Sequence, residues 1–498
     1  MQIRSTKESQ PDMAPNVRGI QLRRQPSVAG VRRSPEGSSQ QLALPVRLYF
    51  IAMALPIHFH LGPLFMTGAR VVLLVMILPL CINLLSGKYG RLILTDLLFF
   101  LYANWIIITL FQNSPASALS FGGSVALEFF GGYMLARAYI RTPQDMAAMV
   151  RILFYVVLFT IPFALYEGQT GRAFIPELIR KIPGLDSVAD FYSAQDGRRL
   201  GLERVQVIFA HPIHYGLFCS TIFSMIFIGF KGLFSNKQRY IACICVCFAA
   251  FLSLSSGAIL PIMLQTAFIF WAWLFNRFRK RWLILLGILT TCYVVVDILS
   301  NRTPIDVFMS YATFSPHNAY WRNLIFEWGL KNVWANPWIG IGLNDWFRLW
   351  FMYADSVDNF WLLSAMRYGI PGFILLAVGF FLPVWNIAWR NIDESSLAWK
   401  FRRAWVFTLL GLTLTLCTVD VWATIFSYVA FLFGSGMWLL SVEKAVVSKI
   451  NKTPLNISNQ RNKVVLSRHV GDNEQANTSS SYTRFSQSQT QQKNHRTK

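Results

Sequence analysis

The chain has 498 residues, 54% hydrophobic and 15% aromatic against only 14% charged, and a mean hydropathy of +0.40. That is more apolar surface than a soluble core of ordinary composition can hide, which excludes a soluble globular protein. The net charge of +22 comes without any stacking or groove-reading motif, so it points to membrane-flanking loops and not to nucleic acid.

The expected fold is all-α, a polytopic membrane protein with about twelve transmembrane helices. Apolar windows are centred near residues 53, 78, 102, 129, 158, 218, 248, 266, 290, 374, 412 and 432. A helix of that length covers the ~30 Å hydrocarbon layer and satisfies its own backbone groups there. The loops between alternate windows hold Lys88 and Arg91; Arg137, Arg141 and Arg151; Lys231, Lys237 and Arg239; Arg277, Arg279, Lys280 and Arg281; and Arg390, Lys400, Arg402 and Arg403. The short loops opposite hold Arg70 alone. The positive-inside rule makes the basic set cytoplasmic and, with an even helix count, both termini too.

Residues 1–41 and 451–498 are rich in Ser, Gln, Asn and basic residues and are expected to be disordered cytoplasmic tails flanking a membrane domain at 42–450. Basic tails of this kind gain from contact with anionic membrane lipids. The seven cysteines all fall in apolar windows. Cys243, Cys245 and Cys247, two apart on a helix, project in opposing directions and suit packing better than metal.

Two long polar segments, 168–204 and 300–358, fall on the side opposite the basic loops and are expected to be periplasmic. The first is nearly charge-balanced, but its basic charge concentrates at Arg198, Arg199 and Arg204, just before a helix enters the membrane at His211-Pro212-Ile-His214. Neutral imidazoles there are candidate proton acceptors, or simple caps. His-x-x-His spacing without a third ligand does not make a zinc site, and no cofactor is expected.

The second segment carries a helix opened by Ser315-Pro316 and closed by Asn336-Pro337. Trp321, Leu324, Ile325 and Trp328 line one face of it, and Glu327 and Lys331 make an i,i+4 pair on another. Such an amphipathic helix can lie at the membrane interface and hold Arg322 near lipid phosphates, where a planar guanidinium donates in matching pairs. His317 stands in its first turn. Gly340 and Gly342 suit a tight turn next to Pro337. Further on, Asp358-Asn359 leads into an apolar window that contains Arg367. A helix broken at Gly369 to Gly372 would turn that guanidinium into a cavity. Mid-helix Glu128 is the other intramembrane charge of interest.

Four motifs, in this order, resemble the O-antigen ligase and polysaccharide polymerase family: Arg199-Leu-Gly-Leu-Glu-Arg204 leading to Phe209-Ala-His211-Pro212; Leu252-Ser-Leu-Ser-Ser-Gly-Ala258; Tyr320-Trp-Arg322 with Asn336-Pro337-Trp-Ile-Gly340-Ile-Gly342; and Asp358-Asn359 with Tyr368-Gly369-Ile-Pro-Gly372. The resemblance implies an inner-membrane glycosyltransferase without metal or nucleotide. Its donor would be an undecaprenyl-diphosphate-linked oligosaccharide, and its partners the membrane lipids and the chain-length regulator and export proteins of a polysaccharide pathway. Carried over by position, diphosphate binding falls to Arg204 and Arg322, with Arg199 as support; Arg367 joins the substrate-binding candidates on its intramembrane position instead. The acceptor base falls to Asp358, with His211 and His317 behind it. Ligases commonly carry His where Asp358 stands, a departure that favours a polymerase over a ligase. A lipid-linked sugar flippase is the rival class, though the chain shows no internal repeat.

Overall fold

The computed structural model describes residues 41–442 except 63, 188–197, 200, 302, 305, 306 and 308–315, and the backbone alone at 316–319. All of these belong to one compact unit, Met1–Ala445. Residues 1–40 of the first expected tail, all of the second, and Ser315 lie outside the described residues.

Among the described residues eight helices are long and apolar enough to cross a membrane: Gly68–Leu85, Leu94–Asn113, Pro143–Thr170, Pro212–Gly229, Ser256–Leu274, Arg281–Leu299, Phe360–Ala388 and Ala423–Leu440. The expectation of about twelve is met only in part. The windows near 53, 248 and 412 are helices as well, but Leu44–Ala54 and Asn236–Leu252 are short and Leu397–Thr415 is charged in its first turns. The window near 129 is broken by the π-helical turns Ala118–Gly122 and Leu127–Gly131 before it closes as Gly132–Tyr139.

The fold is not purely α. Ile57–Leu61 (β1) pairs antiparallel with Leu64–Thr67 (β2) on one side and with Asp186–Ser187 (β3) on the other. The alternating Ile57-His-Phe-His-Leu61 run supplies the strand period of two. His58 on β1 lies 3.6 Å from Asp186 on β3.

Contacts between the loops show how the helices are stacked. Arg141 donates to the Lys88 carbonyl and Arg137 to those of Tyr89 and Arg91. Lys400 donates to the Lys231 carbonyl at 2.7 Å, and Arg402 to that of Arg390. Arg281 lies within electrostatic reach of Arg402 and Arg403. The basic loops therefore gather at one end. The sheet, the 198–211 segment, the helix Pro316–Ala335 and the loops 336–359 and 416–422 lie at the other.

Packing between the ends uses small residues. A Cβ on Gly132 would meet the Ser427 carbonyl at 2.5 Å, and one on Gly434 the Tyr133 carbonyl at 2.4 Å. Gly132–Tyr139 and Ala423–Gly434 thus approach backbone to backbone, as membrane helices do when no hydrophobic drive separates lipid from protein. The outer surface carries exposed Leu74, Leu78, Ile244, Leu289 and Ile298, and Arg281–Leu299 has no buried residue at all. An apolar exterior of that extent fits hydrocarbon and not water.

Candidate active site

The helix Pro143–Thr170 ends at Gly171, whose φ of 70° turns the chain back over it. The Glu167 carboxylate accepts the backbone N–H groups of Gln206 and Val207, each at 2.9 Å, and the Glu203 N–H donates to the Gly168 carbonyl at 3.0 Å. These bonds clamp the returning segment onto the helix end. Upstream, Arg199 and Leu202 exchange backbone hydrogen bonds around Gly201, and the Arg199 guanidinium donates to the Leu254 carbonyl at 2.9 Å. The first and second sequence motifs therefore touch. Arg198 is spent on an exposed pair with Glu203 at 2.8 Å, and Arg204 lies half-buried in the same segment.

His211 caps the helix that begins at Pro212: its Nδ1 accepts the Ile213 N–H at 3.2 Å. With that lone pair engaged, a neutral ring carries its proton on Nε2 and is a donor in this arrangement. His214 is buried, its ring centroid 4.0 Å from that of Trp422, and it hydrogen-bonds the backbone of Asp420. Among the described residues no three His, Cys, Asp or Glu side chains group to hold a metal.

The helix break expected near Gly369 is present. Gly369 takes φ 71° and ψ 177° inside Phe360–Ala388. Such a break orphans backbone carbonyls, and the 336–342 loop answers them. Ile341 N–H donates to Met366 O at 2.8 Å and Gly342 N–H to Arg367 O at 3.1 Å, while Ile370 N–H donates back to Pro337 O at 2.7 Å. Trp105 Nε1 satisfies Tyr368 O at 2.8 Å. A Cβ on Gly340 would lie 2.5 Å from Arg367 O, and one on Gly369 2.3 Å from Trp338 O. Both glycines also need positive φ. The Gly-Ile-Gly run thus serves more than a tight turn: it splices the loop to the broken helix and fixes Arg367.

The helix Pro316–Ala335 packs on the first half of Phe360–Ala388, with Trp321, Leu324, Ile325 and Trp328 against a small core of Val333, Trp346, Leu362 and Met366. The expected pair forms, Glu327 to Lys331, at 2.8 Å. This packing half-buries Arg322 and brings it within electrostatic reach of Asp358 and Arg199. Burial pushes the Asp358 carboxyl above the usual carboxylate range, and the Arg322 guanidinium opposes that rise. One Nη of Arg322 is buried without a hydrogen-bond partner. A desolvated guanidinium donor left open is costly, unless an anion fills it. The His317 side chain lies outside the described residues.

Next to these groups a cavity of about 420 Å³ opens among the helices, with a mostly apolar wall. Its charged lining is Arg70, Glu128, Arg367 and Asp420. Arg204, Arg322 and Asp358 do not line it. Arg70 and Glu128 neutralise each other at 2.8 Å, and Arg70 also donates to the Phe65 carbonyl at 2.6 Å. Asp420 is pushed up to about 7, first by burial and last by the Asp358 charge, with Arg367 pulling the other way. Asp420 carries no sequence motif; its only textual signal is an acid between the last two apolar windows, on the side away from the basic loops.

Taken together, the fold and site define a multi-pass membrane protein with a polar, arginine-bearing site at the end opposite its basic loops. A family model described as O-antigen ligase matches residues 241–377, which spans three of the four motifs and stops short of Asp420. That stretch of the chain is accordingly similar to the O-antigen ligase family. No curated protein matches it.

Proposed function

We propose that the protein is a glycan polymerase of the bacterial inner membrane, moving an undecaprenyl-diphosphate-linked oligosaccharide onto a sugar hydroxyl at the periplasmic face. The observation that supports this reading is that Arg322 lies within electrostatic reach of both Asp358 and Arg199, from three separate motifs, beside a cavity holding Arg367 and Asp420. Twelve crossings, with the basic end and both termini cytoplasmic, complete the reading; the grouping of the basic loops supports it.

In this mechanism Arg322 and Arg199 grip the diphosphate, with Arg204 and Arg367 in support. Asp358 takes the proton of the acceptor hydroxyl as its oxygen attacks the anomeric carbon. The bond from that carbon to the diphosphate oxygen breaks, and the arginines stabilise the departing anion in a partly dry site. Asp420, coupled to Asp358, shares the proton load. His211, with Nε2 as donor, can bond a phosphate or hydroxyl, and His317 is the remaining candidate base. A second reading, ligation of finished glycan to lipid A core or protein, is favoured by the family description alone; Asp358 in place of His weighs against it.

The test is reconstitution in liposomes with purified lipid-linked repeat units. A chain-length ladder supports a polymerase, capture on a separate acceptor a ligase, and bilayer crossing without new bonds a flippase. Arg322→Ala and Arg204→Ala abolish product while the protein still accumulates in membranes. Normal-length polymer from either variant removes that residue from the mechanism.

A further inference from the structure

A second hollow, about 380 Å³ and mostly polar, opens outward from the loop 341–357, and Arg367 and Leu363 line both it and the apolar cavity. Arg367 thus stands between an apolar chamber and a polar one. A lipid-linked glycan has the same sequence of chemistries: hydrocarbon, then diphosphate, then sugar. We infer that the polar recess is a pyranose-binding subsite for the glycan end of the substrate. The inference rests on the transferase reading above.

The wall has the chemistry that sugar rings require. Vicinal hydroxyls each donate and accept; Asp355 offers acceptors there, and Asn344, Asp345 and Arg348 add donors and acceptors already oriented by the Arg348–Asp345 pair and by the bond from the Asn344 amide to the Asn113 carbonyl. Tyr353 presents an aromatic ring 86% exposed, an apolar face with a polar tip, against which the C–H face of a pyranose can lie. The volume falls within the ~300–1,000 Å³ of ordinary ligand sites.

The recess is also held in shape before anything binds. Trp346 Nε1 donates to the Asp355 carbonyl at 3.0 Å and Arg348 Nε to the Met352 carbonyl at 2.8 Å. Asn332 brackets Phe347, accepting its N–H at 2.9 Å and donating to its carbonyl at 2.7 Å. A polar pocket fixed by its own backbone is a preorganised site, whereas a loop that merely covers the bundle needs no such bracing.

The experiment uses the full chain in nanodiscs and three probes: undecaprenyl diphosphate without sugar, the lipid-linked oligosaccharide extracted from cells that make it, and that oligosaccharide released by mild acid. Tyr353→Ala and Asp355→Asn, both exposed positions, are expected to weaken the two sugar-bearing probes at least tenfold and to leave the bare diphosphate unchanged. Equal affinity of wild type and both variants for the sugar-bearing probes overturns the inference, as does failure of the wild type to hold either of them. Sugar binding that the variants lose, with no retention of the bare diphosphate, upholds the recess and sinks the lipid-carrier reading instead.

Discussion

Asp420 and Asp358 face different guanidinium groups; burial raises both carboxyls, and the Asp358 charge adds a lesser push to Asp420. A carboxyl near 7 is roughly a tenth ionised at pH 6 and nine-tenths at pH 8. Asp420 can share the proton load with Asp358 only when it is ionised, so transfer by the reconstituted protein should rise across that window. Asp420→Asn should flatten this limb of the rate profile, and an unchanged limb in that variant would separate Asp420 from the chemistry. A second residue-scale expectation concerns the cavity wall. Glu128→Gln leaves the Arg70 charge buried without its partner, a change that typically costs about 3–5 kcal/mol. A lower thermal midpoint in detergent is expected, and an unchanged midpoint would mean that water already reaches Arg70.

Residues that combine an odd chemistry with an odd place were legible in the sequence. Arg367 stood out because a guanidinium inside an apolar window must find a cavity, and Gly369 because a helix needs a break to provide one. Arg322 and Asp358 were legible through their motifs. Asp420 was not: Val419, Val421 and Trp422 surround it with apolar signal, and its meaning depends on Arg367, 53 positions away in the chain. The partner of Glu128 was hidden for the same reason, since Arg70 reads as a loop cation. The sheet was missed because five alternating residues merge into the apolar window before them, and its third strand lies in a different segment.

At the scale of elements, the splice between the 336–342 loop and the broken helix makes the sharpest demand on residue type. Gly369→Ala and Gly340→Ala each add a Cβ inside contact distance of a carbonyl, at a backbone angle that costs about 1–3 kcal/mol for other residues. Both should lower the unfolding midpoint and displace Arg367. Gly287→Ala is the contrast, since Gly287 lies inside Arg281–Leu299 with nothing within 4 Å of its missing Cβ. There alanine should stabilise by roughly 1 kcal/mol. Thermal scans of the three purified variants decide between these signs. If Gly340→Ala behaved like Gly287→Ala, the splice would not be a fixed part of the fold.

For the whole molecule, the expectation concerns sidedness. Single cysteines placed at Tyr353 and at Lys237, in a chain freed of its own seven, should react oppositely with a membrane-impermeant maleimide in intact cells: 353 labels, 237 does not. The reverse pattern would put the arginine site in the cytoplasm and end the periplasmic reading. Two of the four windows that fell short of a simple span, those near 129 and 412, are elements that meet other helices more than lipid. The second π-helical turn and Gly132–Tyr139 are buried along most of their length, and interior helices can afford bulges, glycines and charge that lipid-facing ones cannot.

The backbone stitches at Ile341, Gly342 and Ile370 also tie the outer helix Pro316–Ala335 to the interior arginine through a short, stiff linkage. A substitution that loosens the outer helix should therefore also shift the Arg367 guanidinium, although the two lie on different elements.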